Sequence, residues 1–350
     1  MFRTLVLTLS FVLLPTRLPL LTAQEPQLPA TDAPQPAPDS FASAQSLAAK
    51  GRLDKAMALL DDLKTQSPEP PGVERLRGNI FYQRQQLPEA VAAFTKAAEQ
   101  DPGDRESIEM HGVILFSQGH PDQAIPFLEK AHAAVQSANV DPEYVLGLCY
   151  ADMKRYDDAR HAFAAQYGFL PDSAEAYLLA ARLFLRREFA PEAAVQARKA
   201  LALNPNLPLA HQLLGEAALA KGDTEAAVRE LEAERAINPL DGPLYDRLGD
   251  AYLRGEKYAE AQQALNRAVL LEPSSTAPYI LLGQTFLKLK QPIQAVHYLN
   301  HAARMDPSNY ITHNLLGQAY KALGQVEEAN REFQLVVDLQ HGAPPQPTGK

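Results

Sequence analysis

His297 and His301, four residues apart, are the nearest this sequence comes to a metal-ligand spacing. On a helix that spacing puts both rings on one face, where they could share an ion. No third ligand stands at a recognisable distance, and that face is expected to point outward, so the pair reads as a solvated surface feature. Cys149 is the one cysteine, so no disulfide can form within the chain even in an oxidising compartment. It fills a slot that Ala217, Ala251 and Ala319 fill elsewhere, which marks it as a small buried core residue, inert unless exposed. Ser, His and Asp are all present, but without a nucleophile elbow, a Gly-rich phosphate loop or a paired-carboxylate motif. The expectation is a chain that is not an enzyme, with no cofactor and no metal.

Charge narrows the partners. The formal net charge is -9, and it becomes -11 if the segment carrying Arg3 and Arg17 is removed. Phosphate backbones need clustered Lys and Arg, so nucleic acid is not expected. The N-terminus reads MFRTLVLTLSFVLLPTRLPLLTAQEPQ. Arg3 followed by the apolar run Leu5 to Leu14 reads as a signal peptide over 1–23, cleaved after Ala23, and the run is too short to span a bilayer. Export to the periplasm or the extracellular space follows as an expectation, with no stable membrane span. Residues 24–39, QEPQLPATDAPQPAPD, cannot bury a core and read as a Pro-rich linker, although such a stretch can also be a ligand for an aromatic groove. Residues 342–350, GAPPQPTGK, are similar and read as a disordered tail.

Between these ends the chain repeats every 34 residues. Pro171, Pro205, Pro239, Pro273 and Pro307 keep that step, as do Ala227, Ala261, Ala295 and Ala329. Gly147, Gly215, Gly249, Gly283 and Gly317 keep it with Ala181 in the gap, and a slip of one residue falls between His132 and Asp141. Each unit holds two helical patterns. Asp241 before Pro243 starts one, Gly255 and Glu256 break it, and Tyr258 to Leu270 form the second before Pro273. Pro88, Pro121, Pro191 and Pro292 sit at the first turn of other second helices, where a missing N–H is harmless. Gly249 and Ala261 are expected to face each other where the helices cross, with Tyr252 and Leu265 filling the wider space. Hairpins with apolar faces on both sides must stack.

These marks resemble the tetratricopeptide repeat family. Tyr245, Leu248, Gly249, Tyr252, Ala261, Leu265, Ala268 and Pro273 stand where its signature places an aromatic, Leu-Gly, Tyr, Ala, Phe, Ala and Pro. So do Tyr279, Leu282, Gly283, Phe286, Ala295, Leu299, Ala302 and Pro307. The fold expected is all-α, a right-handed α-solenoid of antiparallel helix pairs over 40–341 with about nine units. The first unit lacks its Gly. The unit from 105 carries Gln136 in place of Pro and Pro126 inside its second helix, which predicts a lengthened or kinked helix.

The resemblance implies that first helices line a concave groove. Its candidate positions are Arg75, Asn79 and Tyr82; Glu106, Glu109 and Phe116; Tyr144 and Asp152; Arg182, Leu185 and Arg186; Leu219; Asp250 and Leu253; and Gln284, Leu287 and Lys288. Leu178, Gln212, Glu216, Asp246, Arg254 and Ile280 belong to the same faces. Leu185, Leu219, Leu253 and Leu287 repeat at 34, either as an apolar line open to a peptide or as residues half covered by the next helix. Glu106, Glu109, Asp141 and Asp152 stand near Phe116 and Tyr144, either as a pocket for a basic or aromatic segment or as a solvated acidic face. Some relatives grip a chaperone's C-terminal carboxylate. Arg75 and Asn79 match the start of that clamp, but Met110, Asp141 and Val145 do not continue it, and Asp141 would repel the ligand.

The functional expectation is a non-catalytic scaffold, periplasmic or secreted, that binds a protein or peptide partner in extended or helical form. The alternatives are a structural subunit of an envelope or secretion assembly, and an accessory subunit that delivers substrate to a catalytic partner. Leu335, Val336, Val337 and Leu339 give the last helix an apolar end with no capping helix after it. Self-association through this C-terminal helix, or a partner, would cover it.

Overall fold

In a computed structural model of the chain, residues 40–132 and 142–341 are described. Among them are eighteen helices and no strand. The chain divides into two compact units, Met1–Leu63 and Lys64–Lys350. The first holds α1 (Ser40–Ala49) and all but the last residue of α2 (Leu53–Lys64). Ala44, Ala56, Met57, Leu60 and Leu63 are buried there.

The second unit is a succession of helix pairs: α3 (Val73–Gln83) with α4 (Leu87–Gln100), α5 (Arg105–Ser117) with α6 (Pro121–His132), and α7 (Pro142–Asp152) with α8 (Tyr156–Tyr167). There follow α9 (Ala174–Arg186) with α10 (Ala190–Leu203), α11 (Ala210–Ala220) with α12 (Thr224–Ile237), and α13 (Gly242–Arg254) with α14 (Tyr258–Leu271). The last are α15 (Thr276–Lys288) with α16 (Pro292–Met305), and α17 (Tyr310–Ala322) with α18 (Val326–Gln340). Each second helix also packs on the first helix of the next pair, which makes this unit an α-solenoid.

Asp241 is the residue before α13, and Pro88, Pro191 and Pro292 lie in the first turns of α4, α10 and α16. Pro126 sits inside α6, exposed and without an N–H for the preceding turn. The helix runs on to His132; lengthening beyond it, Gln136, and the slip before Asp141 lie outside the described residues. So do the signal, linker and tail readings.

The turn within each hairpin has one backbone signature. Its left-handed residues are Gly51, Gln85, Gly119, Lys154, Glu188, Gly222, Glu256, Lys290 and Gly324. They keep the 34-residue step, with one extra residue between Gly119 and Lys154. At Glu256, φ is 59°, and the next N–H, of Lys257, donates to the carbonyl of Tyr252 at 2.8 Å. This 6→1 bond satisfies a carbonyl that the helix end would leave open.

At the helix crossing the backbones come close at the Gly and Ala positions: a Cβ on Gly215 would stand 3.3 Å from the carbonyl oxygen of Ala227, and one on Gly112 3.2 Å from that of Ala124. A Cβ on Gly249 would stand 2.3 Å from Leu265 Cδ2, so the side chain seated on the glycine is that of Leu265. Sixteen residues separate that pair, and the same offset joins Gly147 to Phe163 and Gly283 to Leu299. Where Ala181 replaces glycine, the residue sixteen further on is Ala197, and both are fully buried. A larger residue on one helix is matched by a smaller one on the other, as close packing requires.

Candidate protein-binding groove

First helices touch the first helix of the next pair: α3 meets α5, α5 meets α7, α9 meets α11, and the sequence continues through α13 and α15 to α17. Their shared face carries the candidate positions, and it has two characters.

From α3 to α7 the polar candidates are engaged with one another. Arg75 Nη1 donates to Asp104 Oδ1 at 3.1 Å, and its Nε lies 3.5 Å from Glu106 Oε2. Asn79 Nδ2 donates to Glu106 Oε1 at 2.9 Å. Glu109 is buried, and Asp152 pairs with Arg187. Tyr82 is half-buried beside Phe94 and Ile114, while Phe116 and Tyr144 are half-buried against the cluster that holds Phe163 and Phe184. No open acidic pocket forms from Glu106, Glu109 and Asp152, because each is paired or buried; Asp141 lies outside the described residues.

From α9 onward the face opens. A cavity of about 530 Å³ lies between α9 and α11, lined by Leu178, Leu179, Leu185, Leu213, Gln212 and Glu216, with Arg182 and Arg186 on the α9 side. Phe169 and Leu209 close it from the loops before each helix, and Arg247 reaches it from α13. A second cavity, of about 710 Å³, continues along α13 and α15, lined by Asp246, Arg247, Asp250, Leu253, Ile280, Gln284 and Lys288. Arg247 belongs to both.

Buried charges hold these walls. Arg160, 3% exposed, donates to the carbonyl of Pro171 and at 2.8 Å to Asp172, which pins the loop that carries Phe169. Its guanidinium also lies 4.3 Å from the ring centroid of Tyr177. Glu234, with no exposed surface, accepts from the N–H of Leu209 at 2.7 Å and of Gln212 at 3.3 Å. A carboxylate there answers the open N–H groups at the start of α11 and sets the position of the cavity floor.

Inside the cavities some charges are matched and others are not. Gln212 Nε2 donates to Glu216 Oε1 at 2.9 Å, Glu216 pairs with Arg247, and Asp250 accepts from Arg254 at 2.9 Å. Arg182, Arg186 and Lys288 are exposed and make no ion pair among the described residues. The Asp246 carboxyl is pushed up to about 6, chiefly by burial, with Arg247 opposing the shift and Asp250 and Glu272 adding to it. The leucine line is broken: Leu253 is buried, whereas Leu185, Leu219 and Leu287 are half-buried and pack against the cores beneath them.

The remaining candidates are structural. Cys149 is fully buried, and burial pushes its thiol up to about 12, so little thiolate forms at neutral pH. His301 stacks on Tyr279 at 4.3 Å with its Nδ1 3.2 Å from Arg304, and His297 packs edge-on to Tyr298. Among the described residues no group of three or more His, Cys, Asp and Glu stands where it could hold a metal ion. None of their helices is long and apolar enough to cross a membrane. Val336 is buried, and Leu335 and Leu339 are half-buried, so of the four apolar residues at the end of α18 Val337 alone is exposed.

Phe169, Leu179, Leu209, Leu213 and Arg247 were not among the predicted groove positions. The adjacent exposed pair Phe169-Leu170, standing in a loop before Pro171, was the visible signal for the first of them.

A solenoid with an open, partly apolar inner face is the class of molecule these features define. Two models described as tetratricopeptide repeat match residues 242–275 and 280–344. A model of the anaphase-promoting complex, cyclosome, subunit 3 matches residues 83–166. Among solved structures, the chain is similar to MamA 41-end from Desulfovibrio magneticus RS-1, with 23% identity and a TM-score of 0.46 over 49% of this chain and 97% of that one. Similarity to the APC/C hetero-tetramer Cut9-Hcn1 covers 82% of this chain and 57% of that one, at 18% identity and a TM-score of 0.47. YrrB, described as a TPR protein with an unusual peptide-binding site, is matched over 52% of this chain and 94% of its own, at 21% identity and a TM-score of 0.46. No curated protein matches the sequence.

Proposed function

We propose that this chain is a non-catalytic scaffold that holds a segment of a partner protein, extended or helical, along the inner face from α9 to α17. The observation that carries this reading is the pair of cavities joined at Arg247, beside three cations without ion-pair partners among the described residues. The first stretch, from α3 to α7, has its polar groups already engaged and contributes less. The signal-like residues 1–23 support work in the periplasm or the extracellular space. N-terminal sequencing of the native protein tests that part, and a mature chain beginning at Gln24 is the expected result.

Partner capture from native envelopes tests the groove with two variants. Arg186→Trp with Gln284→Trp fills both cavities by bulk, whereas Val195→Asp with Leu270→Asp alters exposed positions on second helices. Loss of partners with the first pair alone is expected. Loss with the second pair alone would favour a structural subunit that uses its outer surface. Self-association through the end of α18 rests on Val337, and light scattering of Val337→Asp checks it: an unchanged monomer mass counts against it.

A further inference from the structure

We propose that the cavity between α9 and α11 receives an acidic–apolar peptide segment. A carboxylate of that segment sits against the guanidinium groups of Arg182 and Arg186, and an apolar side chain beside it rests on Leu178, Leu179 and Leu213. This rests on the groove reading above and assigns the chemistry of its ligand.

Charge complementarity decides the occupant. The chain as a whole is acidic, at -9, yet this cavity is not. Glu216 and Arg247 neutralise each other, and Glu175 is the remaining acid against Arg182 and Arg186. Neither arginine has an ion-pair partner among the described residues, and both lie on the α9 side of an apolar floor. A guanidinium in that setting is weakly hydrated and suits two parallel hydrogen bonds to a carboxylate. The neighbouring cavity gives no such excess, because Lys288 shares it with Asp246, Asp250 and Glu256. On the other stretch of the groove, Arg75 is already held by Asp104 and Glu106. At about 530 Å³ the cavity admits a short piece of peptide and is too small for a folded surface. Phe169, 38% exposed at its edge, and Leu170, 78% exposed next to it, extend the apolar contact past the rim.

The test uses the full chain and three fluorescein-labelled peptides followed by anisotropy: Gly-Ser-Asp-Leu-Asp-Leu-Ser-Gly, its counterpart with Asn for Asp, and its counterpart with Lys for Asp. The acidic peptide is expected to bind at least about tenfold tighter than the Asn peptide, with affinity falling as salt rises. Arg182→Glu with Arg186→Glu, at two exposed positions, should leave the helical circular dichroism unchanged, abolish acidic-peptide binding and turn the preference to the Lys peptide. Equal binding of the acidic and Lys peptides, no binding of any peptide up to millimolar concentration, or acidic binding that survives the double variant overturns the proposal. Arginine-dependent binding of dodecanoate in place of the acidic peptide overturns it in favour of a fatty acid. In each of these cases the groove reading still stands if Arg186→Trp with Gln284→Trp removes the native partners, and falls if it does not.

Discussion

The inner face has two stretches built on one repeat and finished differently. From α3 to α7, Arg75, Asn79, Asp104, Glu106 and Asp152 are tied to other side chains of the same chain, and Glu109 is buried. From α9 to α15, Arg182, Arg186 and Lys288 are left without ion pairs among the described residues, beside two cavities. Polar groups that satisfy each other have little to gain from a ligand, which would first have to displace them. Identical helix pairs can thus be made receptive or closed by a few side chains on one face.

Six substitutions, in four comparisons, sharpen or break that contrast. The largest effect is expected at the wall of the open stretch. Glu234→Ala leaves the N–H groups of Leu209 and Gln212 without their buried acceptor, and urea unfolding should show a loss of about 3 kcal/mol. A loss below about 1 kcal/mol would mean that the cavity floor is held by something else. Next comes the packing slot. Gly147→Ala places a Cβ 2.4 Å from Phe163, and about 2 kcal/mol of stability should go. Ala181→Gly, in the same slot of the open stretch, removes a methyl group that Ala197 leaves room for and should lower stability by about 1 kcal/mol, the ordinary helix penalty.

A third comparison sets side chains of the two stretches against each other directly. Asp104 accepts from the N–H of Ser107 at the start of α5 and from Arg75, so Asp104→Ala should lower stability by about 1–2 kcal/mol in chemical denaturation. Arg182→Ala, which breaks no ion pair, should stay within about 0.5 kcal/mol of the parent. Similar losses at the two sites would erase the contrast between them.

The smallest effect is in pH. The folded state holds the Asp246 proton more tightly than the unfolded chain does, so stability should fall as pH rises from about 4 to about 6. Asp246→Asn removes that slope and raises the melting temperature at pH 7. A melting curve that keeps the slope in the variant would assign it to other groups.

Much of the fold was legible because it is periodic. The 34-residue recurrence of Pro, Gly and Ala marks each helix pair, and Pro88, Pro191 and Pro292 mark the starts of second helices. The hairpin turns were only half visible. Gly51, Gly119, Gly222 and Gly324 announce the left-handed residue, whereas Gln85, Lys154, Glu188, Glu256 and Lys290 adopt it without glycine, held by the 6→1 bond and the packing on either side. The slot glycines were read in part: the expected Ala meets them through its backbone, as Ala227 does at Gly215, while the side chain that covers them comes from sixteen residues on, an offset that Ala181 and Ala197 record.

The site was less legible, since it depends on distances between repeats. Leu253 occupies the same frame as Leu185, Leu219 and Leu287 and is nevertheless buried. Asp152 and Glu106 carry the charge of an acidic patch and lose it to Arg187, Arg75 and Asn79, which come from neighbouring pairs. Phe169, Leu209 and Arg247 reach the cavity from loops and from a helix two pairs on, where no single-repeat pattern points.

Photocrosslinking along the inner face tests the central contrast most directly. A benzoylphenylalanine placed at Asn79 or Phe116 reports on the closed stretch, and one at Arg186 or Gln284 reports on the open stretch, each in the full chain within its native cells. Crosslinks to a partner protein from positions 186 and 284, and none from 79 and 116, are the predicted result. Crosslinks confined to 79 and 116 would contradict the account.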